Sequence, residues 1–529
     1  MKQIKAYFGA HPYIVSFIAG LVSATGFAPL NLWPLTLAAI AVWIAALLPL
    51  TTKKSAAFAG WLFGLGHFIV GLNWIAKAFT FQAAMPGWLG YVAVVLLSLY
   101  LAIYPALAAL GASWLARHRP MVFVFALAGF WIITEWLRSW VFSGFIWNPL
   151  GASMEGISNL GSIRLIGTYG YSGIVIIVSA LAGALMAAAA TLEWRNMARR
   201  LTELGIIAIA ANIAAWAGKG EVVQPAAPQT PITVVQPNIG QQDKWQPGYE
   251  QENLSKLARL TIRDDNIPRL IFWPEAAIPD YLETGYPARY YYGRSAQSVR
   301  GALTSFIKPD DILVLGALKL EFDEKNQSEA RRAIGARNSV FALNADGKLL
   351  GRYDKSHLVP YGEYLPMRPL LSAIGLSRLA PGDFDFWPGT GAASLNLVDF
   401  GKIGLQVCYE IIFSGQVVDR NNRPDFIFNP SNDAWFGSWG PPQHLAQARM
   451  RAIEEGLPVI RSTPTGISAV IDADGAVLSS LPMAKAGRID TLLPKAHTPT
   501  IFAQFGNVLP LLFAMLLLIC AIAIRVRRR

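Results

Sequence analysis

Three short segments place reactive side chains at the ends of strand-like runs: WPE at 273–275, YDKSHLVPYGEYLP at 353–366 and CYE at 408–410. A cysteine attacks as its thiolate. It therefore needs a base for its proton and a cation or N–H donor for the oxyanion that forms on the attacked carbonyl. Histidine is the common base, and His357 and His444 are the candidates, but neither has an evident Asp or Asn partner in the sequence. Glu275 and Lys355 offer another solution. A buried carboxylate takes the thiol proton, and an ammonium stabilises both the thiolate and the tetrahedral intermediate. Glu363, eight residues beyond Lys355, is placed to pair with that lysine. Each residue also has a bland reading. A lone cysteine in an apolar run is as readily a core thiol as a nucleophile. A lone Glu or Lys is ordinarily a surface charge, although Trp273-Pro274 ahead of Glu275 argues against exposure. The only other cysteine is Cys520, so a disulfide framework and a four-thiolate metal site are both excluded.

The elements that must carry these residues follow a Pro-marked linker (Pro225, Pro228, Pro231). Residues 231–239 read as a buried strand, 249–262 as a helix, and 269–279 as a strand running into Glu275. A further strand is predicted at 311–320. Residues 338–355 form two β runs around Asp346-Gly347, a hairpin signal. The device repeats at 395–410 around Phe400-Gly401, where the second strand runs into Cys408, and at 458–480 around Asp474-Gly475. A strand and loop at 425–436 and a helix at 444–456 complete the pattern. Strands alternating with helices, with hairpins inserted, indicate a mixed-sheet α/β layer fold.

The rest of the chain is of another kind. Of the 529 residues 53% are hydrophobic and 15% charged, against about 25% charged in an ordinary soluble domain. Seven apolar runs of spanning length lie in the first 218 residues, near 13–30, 33–50, 56–79, 86–116, 121–142, 166–191 and 201–217; the last is the weakest because it contains Glu203. An eighth runs from Val508 to Ile524. Long runs follow the first one and no small-residue cleavage site is evident, so a retained helix is expected there. The net charge of +11 does not point to nucleic acid: residues 1–218 carry +8, 219–500 carry −1 and 501–529 carry +4. The neutral middle lacks the basic stripe that a phosphate backbone requires. Lys53 and Lys54, then Arg117 and Arg119, then Arg195, Arg199 and Arg200 fall in alternate loops, while the intervening loops carry at most Arg164. That asymmetry puts both termini in the cytoplasm, with Lys2 and Lys5 at one end and Arg525, Arg527, Arg528 and Arg529 at the other, and puts residues 219–500 outside. His67, Asn73, Lys77, Glu135 and Arg138 fall within or at the ends of spans, where a structural role, such as a buried Glu135–Arg138 pair three residues apart, is expected.

The segments around Glu275, Lys355 and Cys408 resemble the nitrilase, or carbon–nitrogen hydrolase, superfamily with its Glu–Lys–Cys triad in this order, over about 231–485. Within it, PNIGQQDKW (237–245), WPEAAIPD (273–280), YDKSHLVPYGEYLP, CYEIIF (408–413), NDAWFG (432–437) and the membrane segment TEWLRSWVFSGFIWNPLG (134–151) resemble the apolipoprotein N-acyltransferase family. The resemblance implies an αββα sandwich joined to a polytopic helical membrane domain of about eight helices. It implies a bundle at 1–218, a periplasmic catalytic domain at 219–500 and a terminal helix with a basic cytoplasmic tail at 501–529, in a bacterial inner membrane. It further implies Glu275 as general base, Lys355 as oxyanion-stabilising cation and Cys408 as nucleophile, with Glu363, Tyr409, Glu410, Trp245 and Asn338 as auxiliary or substrate-binding positions. Where the family often has His-His after the lysine, this chain has Ser356-His357. The implied reaction moves an acyl chain from a membrane glycerophospholipid, commonly phosphatidylethanolamine, through a Cys thioester to the α-amino group of the diacylglyceryl-cysteine that begins a lipoprotein. No cofactor or metal is implied.

Two other readings fit parts of the sequence. A membrane-tethered amidase giving the acyl group to water would use the same triad, but a small soluble substrate does not require eight spans. A transporter with a sensing outer domain would explain the intramembrane polar residues, but no internal repeat of broken helices is visible and the triad would have no purpose.

Overall fold

The computed structural model describes residues 10–81, 86–116, 119–157, 160–223, 230–244, 246–323, 328–373 and 385–527. Lys2, Lys5, Arg117, Arg528 and Arg529 of the charge pattern, Pro225 and Pro228 of the linker, and Trp245 of the site lie outside these residues.

Residues 230–500 form two six-stranded sheets. The strands are β1 (Pro231–Gln236), β2 (Leu270–Phe272), β3 (Ile312–Phe322), β4 (Ala333–Asn344), β5 (Leu349–Asp354), β6 (Ser394–Asn396), β7 (Lys402–Leu405), β8 (Phe426–Pro430), β9 (Val459–Ser462), β10 (Ser468–Ile471), β11 (Val477–Leu481) and β12 (Gly487–Leu492). One sheet runs β12-β1-β2-β3-β4-β5 and the other β11-β10-β9-β8-β7-β6. Side chains alternate between faces with period two. Ile232, Val234, Phe272, Val314 and Val340 of the first sheet meet Leu405, Phe426, Phe428, Ile460 and Val470 of the second in one shared core. On the outer face of the first sheet, Val235, Ile271, Leu313 and Phe341 pack with Leu257, Val299 and Leu303 of the Glu250–Thr261 and Ala296–Thr304 helices. On the outer face of the second, Ile427, Val459 and Ile471 pack with Ala448, Met450 and Ile453 of the Gly440–Glu455 helix. The result is the αββα sandwich expected from the resemblance.

Several elements differ from the sequence reading. Strand β2 has three residues, because Pro274 cannot continue the ladder past Trp273. Cys408 does not end a strand but begins a short 3₁₀ turn (Cys408–Ile412). Strand β12 and the Ala296–Thr304 helix were not anticipated. Strand β12 is half-exposed and polar, and is held only as an edge by antiparallel pairing with β1.

Eight helical segments lie where eight runs were expected, but they are not equal. Leu89–Ala116, Pro120–Arg138, Ile163–Ala190, Trp194–Ala217 and Val508–Arg527 are long and apolar enough to cross a membrane. Lys53–Gly71 and Ile75–Phe81 form a sixth if the pair, bent by 50°, is one span. The first two helices are shorter than expected, with 12 residues in Pro12–Ser23 and 15 in Trp33–Leu47. At 1.5 Å per residue neither reaches the ~30 Å of a hydrocarbon core. Pro29, Asn31 in the left-handed region and Pro34 at the start of the second helix turn the chain between them. The Pro12–Ser23 and Lys53–Gly71 helices touch backbone to backbone at Gly20 and Gly66, where a Cβ would overlap the Phe63 and Phe17 carbonyls. Glu203, the reason for doubting the seventh run, is paired on its own helix with Arg199 at 2.9 Å and Arg200 at 2.6 Å.

Glu135 and Arg138 are both buried, and both grip the loop after their helix. Glu135 Oε1 accepts from Trp131 Nε1 (2.9 Å) and the Leu150 N–H (2.7 Å), and Arg138 donates to the Asn148 carbonyl (3.0 Å). They hold residues 140–150 beneath the sandwich, where Gly144 and Ser143 meet Tyr409 and His357.

The Gly440–Glu455 helix joins the two parts. It starts with Pro441-Pro442, where missing N–H groups do no harm, and stops at Gly456 in the left-handed region. Gln443 accepts from Trp147 Nε1 (2.8 Å), and Gln447 donates to the Trp147 carbonyl (2.6 Å). Two turns on, Glu454 Oε1 accepts from the Thr168 N–H (2.8 Å) and Oγ1 (2.7 Å). That N–H is available because Gly167, at φ 64° and ψ 176°, breaks the Ile163–Ala190 helix one residue earlier. Only glycine adopts that conformation without strain.

Candidate active site

Strands β1, β2, β3 and β5 of the first sheet run in one direction, and β7, β8 and β9 of the second are likewise parallel. The loops that leave the C-terminal ends of β2, β5 and β7 carry Glu275, Lys355 and Cys408. Such strand ends are where sites gather in α/β sheets.

Glu275 follows Trp273, whose fully buried indole donates to Thr261 Oγ1 (2.9 Å). Gly316 of β3 admits the Glu275 loop: a Cβ there would overlap the Ala276 backbone N–H, and Ala277 N–H bonds the Gly316 carbonyl at 2.7 Å. The carboxylate is buried. Its Oε1 accepts from Asn338 Nδ2 (2.6 Å) and lies 3.7 Å from Lys355 Nζ. Its Oε2 is buried with no hydrogen-bond partner among the described residues and is available to take a proton.

Lys355 is almost wholly buried, and its N–H bonds the Asn338 carbonyl (2.9 Å). Its Nζ donates to Glu363 Oε1 (3.0 Å). Burial works against the ammonium, but the carboxylates of Glu363 and Glu275 outweigh it and hold the pKa above the ordinary lysine value. These two carboxylates therefore favour the ammonium form of Lys355. Glu363 is fixed in turn by Asn338 Nδ2 (3.1 Å) and the Val359 N–H (2.9 Å). Asn338, in the middle of β4, thus bridges the two carboxylates that flank the lysine.

Cys408 is buried and sits at φ 52°, a region that strains a non-glycine residue by about 1–3 kcal/mol. Burial and the Glu275 carboxylate push its thiol pKa well up, while the Lys355 ammonium and the Asn432 backbone N–H directed at the sulfur pull it down. The resting group is a thiol next to a carboxylate, not a free thiolate. The three reactive groups are within electrostatic reach of one another.

Tyr409 and Glu410 face away from this centre. Tyr409 donates to the Gly144 carbonyl of the membrane loop (3.0 Å). Glu410 Oε1 accepts from Tyr353 Oη (2.8 Å), the Ser356 N–H (2.7 Å), Ser356 Oγ (2.7 Å) and the His357 N–H (3.0 Å), and its Oε2 from the Val407 N–H (2.7 Å). One buried carboxylate thereby ties the turn after Lys355 to the turn that carries Cys408.

Two features were missed in the sequence. Lys244, at the end of the loop after β1, is buried and donates to the Glu275 carbonyl (2.7 Å). Burial lowers its pKa to about 8, against the opposing pull of Glu275 and Cys408. Its position in PNIGQQDKW, just past a strand end, was the available signal. The second is a partner for His444, itself a candidate base: nothing adjacent in sequence marks one, yet His444 Nδ1 lies 3.0 Å from Asp433 Oδ1. The other histidine, His357, stacks on Phe413 at 3.7 Å and has Nε2 2.6 Å from the Ser143 carbonyl, so it holds the membrane loop. Among the described residues no three His, Cys, Asp or Glu side chains are gathered as metal ligands would be.

A buried carboxylate, ammonium and thiol at the strand ends of a two-sheet sandwich defines a carbon–nitrogen hydrolase domain, and residues 232–493 match that family. Residues 19–181 match the apolipoprotein N-acyltransferase N-terminal domain. The apolipoprotein N-acyltransferase of Rhodopseudomonas palustris is 32% identical over 97% of this chain and 95% of its own. That of Bradyrhizobium diazoefficiens is 34% identical over 98% and 95%. A solved amidase of Nesterenkonia AN1 from the nitrilase superfamily aligns with 51% of this chain and 92% of its own at 18% identity and a TM-score of 0.34. The chain belongs to the apolipoprotein N-acyltransferase family.

Proposed function

We propose that this protein moves an acyl chain from a membrane glycerophospholipid to the α-amino group of the N-terminal diacylglyceryl-cysteine of a lipoprotein, the last acylation of lipoprotein maturation. Phosphatidylethanolamine is the expected donor and the diacylated apolipoprotein the acceptor. Glu275 takes the proton of the Cys408 thiol, and the sulfur attacks the ester carbonyl carbon. The Lys355 ammonium faces the oxyanion. The ester C–O bond breaks, the lysophospholipid oxygen leaves with the proton from Glu275, and a thioester remains on Cys408. The lipoprotein amine then attacks the thioester, Glu275 accepts one amine proton, the C–S bond breaks and the thiolate is reprotonated. Such a double displacement gives ping-pong kinetics. Glu363 and Asn338 hold the lysine and the base, Glu410 and Tyr409 hold the turns, and Trp245 is a further site position.

The single observation that carries this reading is the placement of a thiol, a carboxylate and an ammonium, all buried, directly above a membrane loop. Gly144 and Ser143 of that loop bond Tyr409 and His357. Both substrates are anchored in lipid, so a site at the bilayer surface is what they need. The Lys/Arg asymmetry supports an inner-membrane orientation with the sandwich on the periplasmic side and both termini in the cytoplasm. The division into a bundle at 1–218, a catalytic domain at 219–500 and a C-terminal anchor at 501–529 belongs to the same reading.

The test is intact-mass spectrometry of the purified full chain, wild type and Cys408→Ala, after incubation with phosphatidylethanolamine. An acyl-sized adduct on the wild type alone, released by hydroxylamine and discharged onto a diacylglyceryl-cysteine peptide, is expected. No adduct under any lipid condition refutes the mechanism, and discharge only to water makes the protein a hydrolase.

A further inference from the structure

Cys408 holds a strained backbone conformation, and such strain persists only where the surroundings over-determine it. Its carbonyl receives two buried donors: His444 Nε2 at 3.0 Å and Asn429 Nδ2 at 3.4 Å. The histidine is completely inaccessible and comes from the Gly440–Glu455 helix, which rests on the membrane bundle. Its ring lies 5.1 Å from Trp147 and 5.8 Å from Phe436, so packing fixes its plane.

The far side of the imidazole is equally determined. Asp433 Oδ1 and Arg461 Nη2 both lie 3.0 Å from Nδ1, and Asp433 Oδ2 accepts from Arg461 Nη2 at 2.5 Å. Arg461 Nη1 donates to Asn429 Oδ1 (2.5 Å) and Ser431 Oγ (3.1 Å). The arginine therefore orients both donors that grip the Cys408 carbonyl. Asp433 also directly follows Asn432, whose N–H is directed at the sulfur. One buried Asp–His–Arg cluster thus braces the nucleophile on its carbonyl side and sits one residue from the donor on its sulfur side.

Resting on the acyl-transfer reading, we infer that His444, fixed by Asp433 and Arg461, is a positioning residue that holds the Cys408 peptide in its strained, attack-ready conformation. It is not the base. Nε2 faces a carbonyl, which selects the Nε2–H tautomer of the neutral ring, and the charged ring carries a hydrogen there too, so Nε2 has no lone pair for the thiol proton. If the ring is neutral, Nδ1 accepts from Arg461; if it is charged, Nδ1–H serves Asp433. The bond to Cys408 survives either way, so the ionisation of His444 leaves no mark on the rate.

The experiment compares full-length wild type, His444→Ala and His444→Gln in detergent. It follows three readouts: the rate of Cys408 alkylation by iodoacetamide, the rate of acyl-thioester formation from phosphatidylethanolamine with kcat and KM separated, and the pH profile. His444→Ala is expected to slow both Cys408 reactions by about tenfold or more with KM within about twofold. The Gln amide can reach the same carbonyl, so His444→Gln is expected to recover most of the rate with an unshifted pH profile. Wild-type rates in His444→Ala overturn the inference. So does a His444→Gln variant that folds, judged by its melting temperature, but is slow or has lost the acidic limb of its profile. Should His444→Ala not fold, the Gln comparison decides alone. Alkylation needs no lipid, so absence of any thioester in the wild type would count against the proposed function while leaving this inference testable.

Discussion

The carboxylate of Glu410 offers the sharpest test of how the site is assembled. It accepts five buried hydrogen bonds, three of them from backbone N–H groups. In Glu410→Gln one oxygen can still serve the four donors around Tyr353, Ser356 and His357. The new amide then faces the Val407 N–H, donor against donor. A charge-assisted bond is worth about 1.5–3 kcal/mol and an orphaned buried N–H costs about 1–3 kcal/mol. With the other four donors kept on a now neutral oxygen, the net loss is about 3 kcal/mol, a melting shift of roughly 6–12 °C for a domain of this size. Function should fall further than stability. Val407 precedes Cys408 and Ser356 follows Lys355, so under the proposed mechanism slack between them lengthens the distance over which the ammonium meets the oxyanion. A 1 Å misplacement can lower the rate by about a hundredfold. The assay pairs thermal unfolding, followed by tryptophan fluorescence, with acyl-thioester formation by intact mass at a temperature where the variant is folded. A Glu410→Gln protein melting within 2 °C of wild type (about 1 kcal/mol or less) and acylating at the wild-type rate would refute the clamp.

Two further outcomes follow from burial. Glu455 is buried beside Glu454, and burial first and that repulsion second raise its pKa to about 7. The folded state then binds a proton that the unfolded state has released, so stability is full below the unfolded carboxylate pKa and declines as pH rises toward 7. Melting temperature should drop between pH 5 and 8, and Glu455→Gln should flatten that slope; an equal slope in the variant would assign the decline elsewhere. The membrane loop should divide by exposure. Phe142 is 85% exposed, whereas Trp147 is 1% exposed and packs on Trp74 at 4.2 Å and Phe436 at 5.2 Å. Phe142→Ser should leave melting unchanged and slow acylation by lipid, while Trp147→Ser should lose about 3 kcal/mol or more. Unchanged acylation in Phe142→Ser would remove that residue from the lipid path.

Much of this was legible in the sequence because the signals were local. The alternation of Ile232 and Val234 with Thr233 and Val235, the turn residues Asp346-Gly347 and Asp474-Gly475, and the runs ending at Glu275 and Cys408 each lie within a dozen residues. Glu363 is eight residues from Lys355, and their pairing could be anticipated. What escaped depends on contacts between distant segments. Asp433 and His444 are brought together by a turn and a helix, and their target, the Cys408 carbonyl, lies on another strand's loop; no periodicity encodes that meeting. Strand β12 was missed because its edge position leaves it polar, without the apolar run that marks a central strand. The short first two helices escaped for the opposite reason: their apolar runs continue past Ser23 and Leu47, where the helices end.

The Gly440–Glu455 helix of the sandwich is hydrogen-bonded to the bundle at both of its ends. At its C-terminal end Glu454 takes the N–H freed by the break at Gly167, and Arg451 donates to Thr168 Oγ1 at 2.5 Å. At its N-terminal end Gln443 and Gln447 hold Trp147 of the membrane loop, and His444, on the same turn, holds the Cys408 carbonyl. The loop in turn bonds Tyr409, the residue after Cys408. Cys408 is therefore gripped from two directions by groups whose own positions are set by membrane helices. A soluble sandwich cut from this chain would keep the three reactive residues but lose the loop and the support beneath the helix. The helices accordingly do more than tether a carbon–nitrogen hydrolase domain to lipid: they complete the scaffold that holds Cys408, the proposed nucleophile.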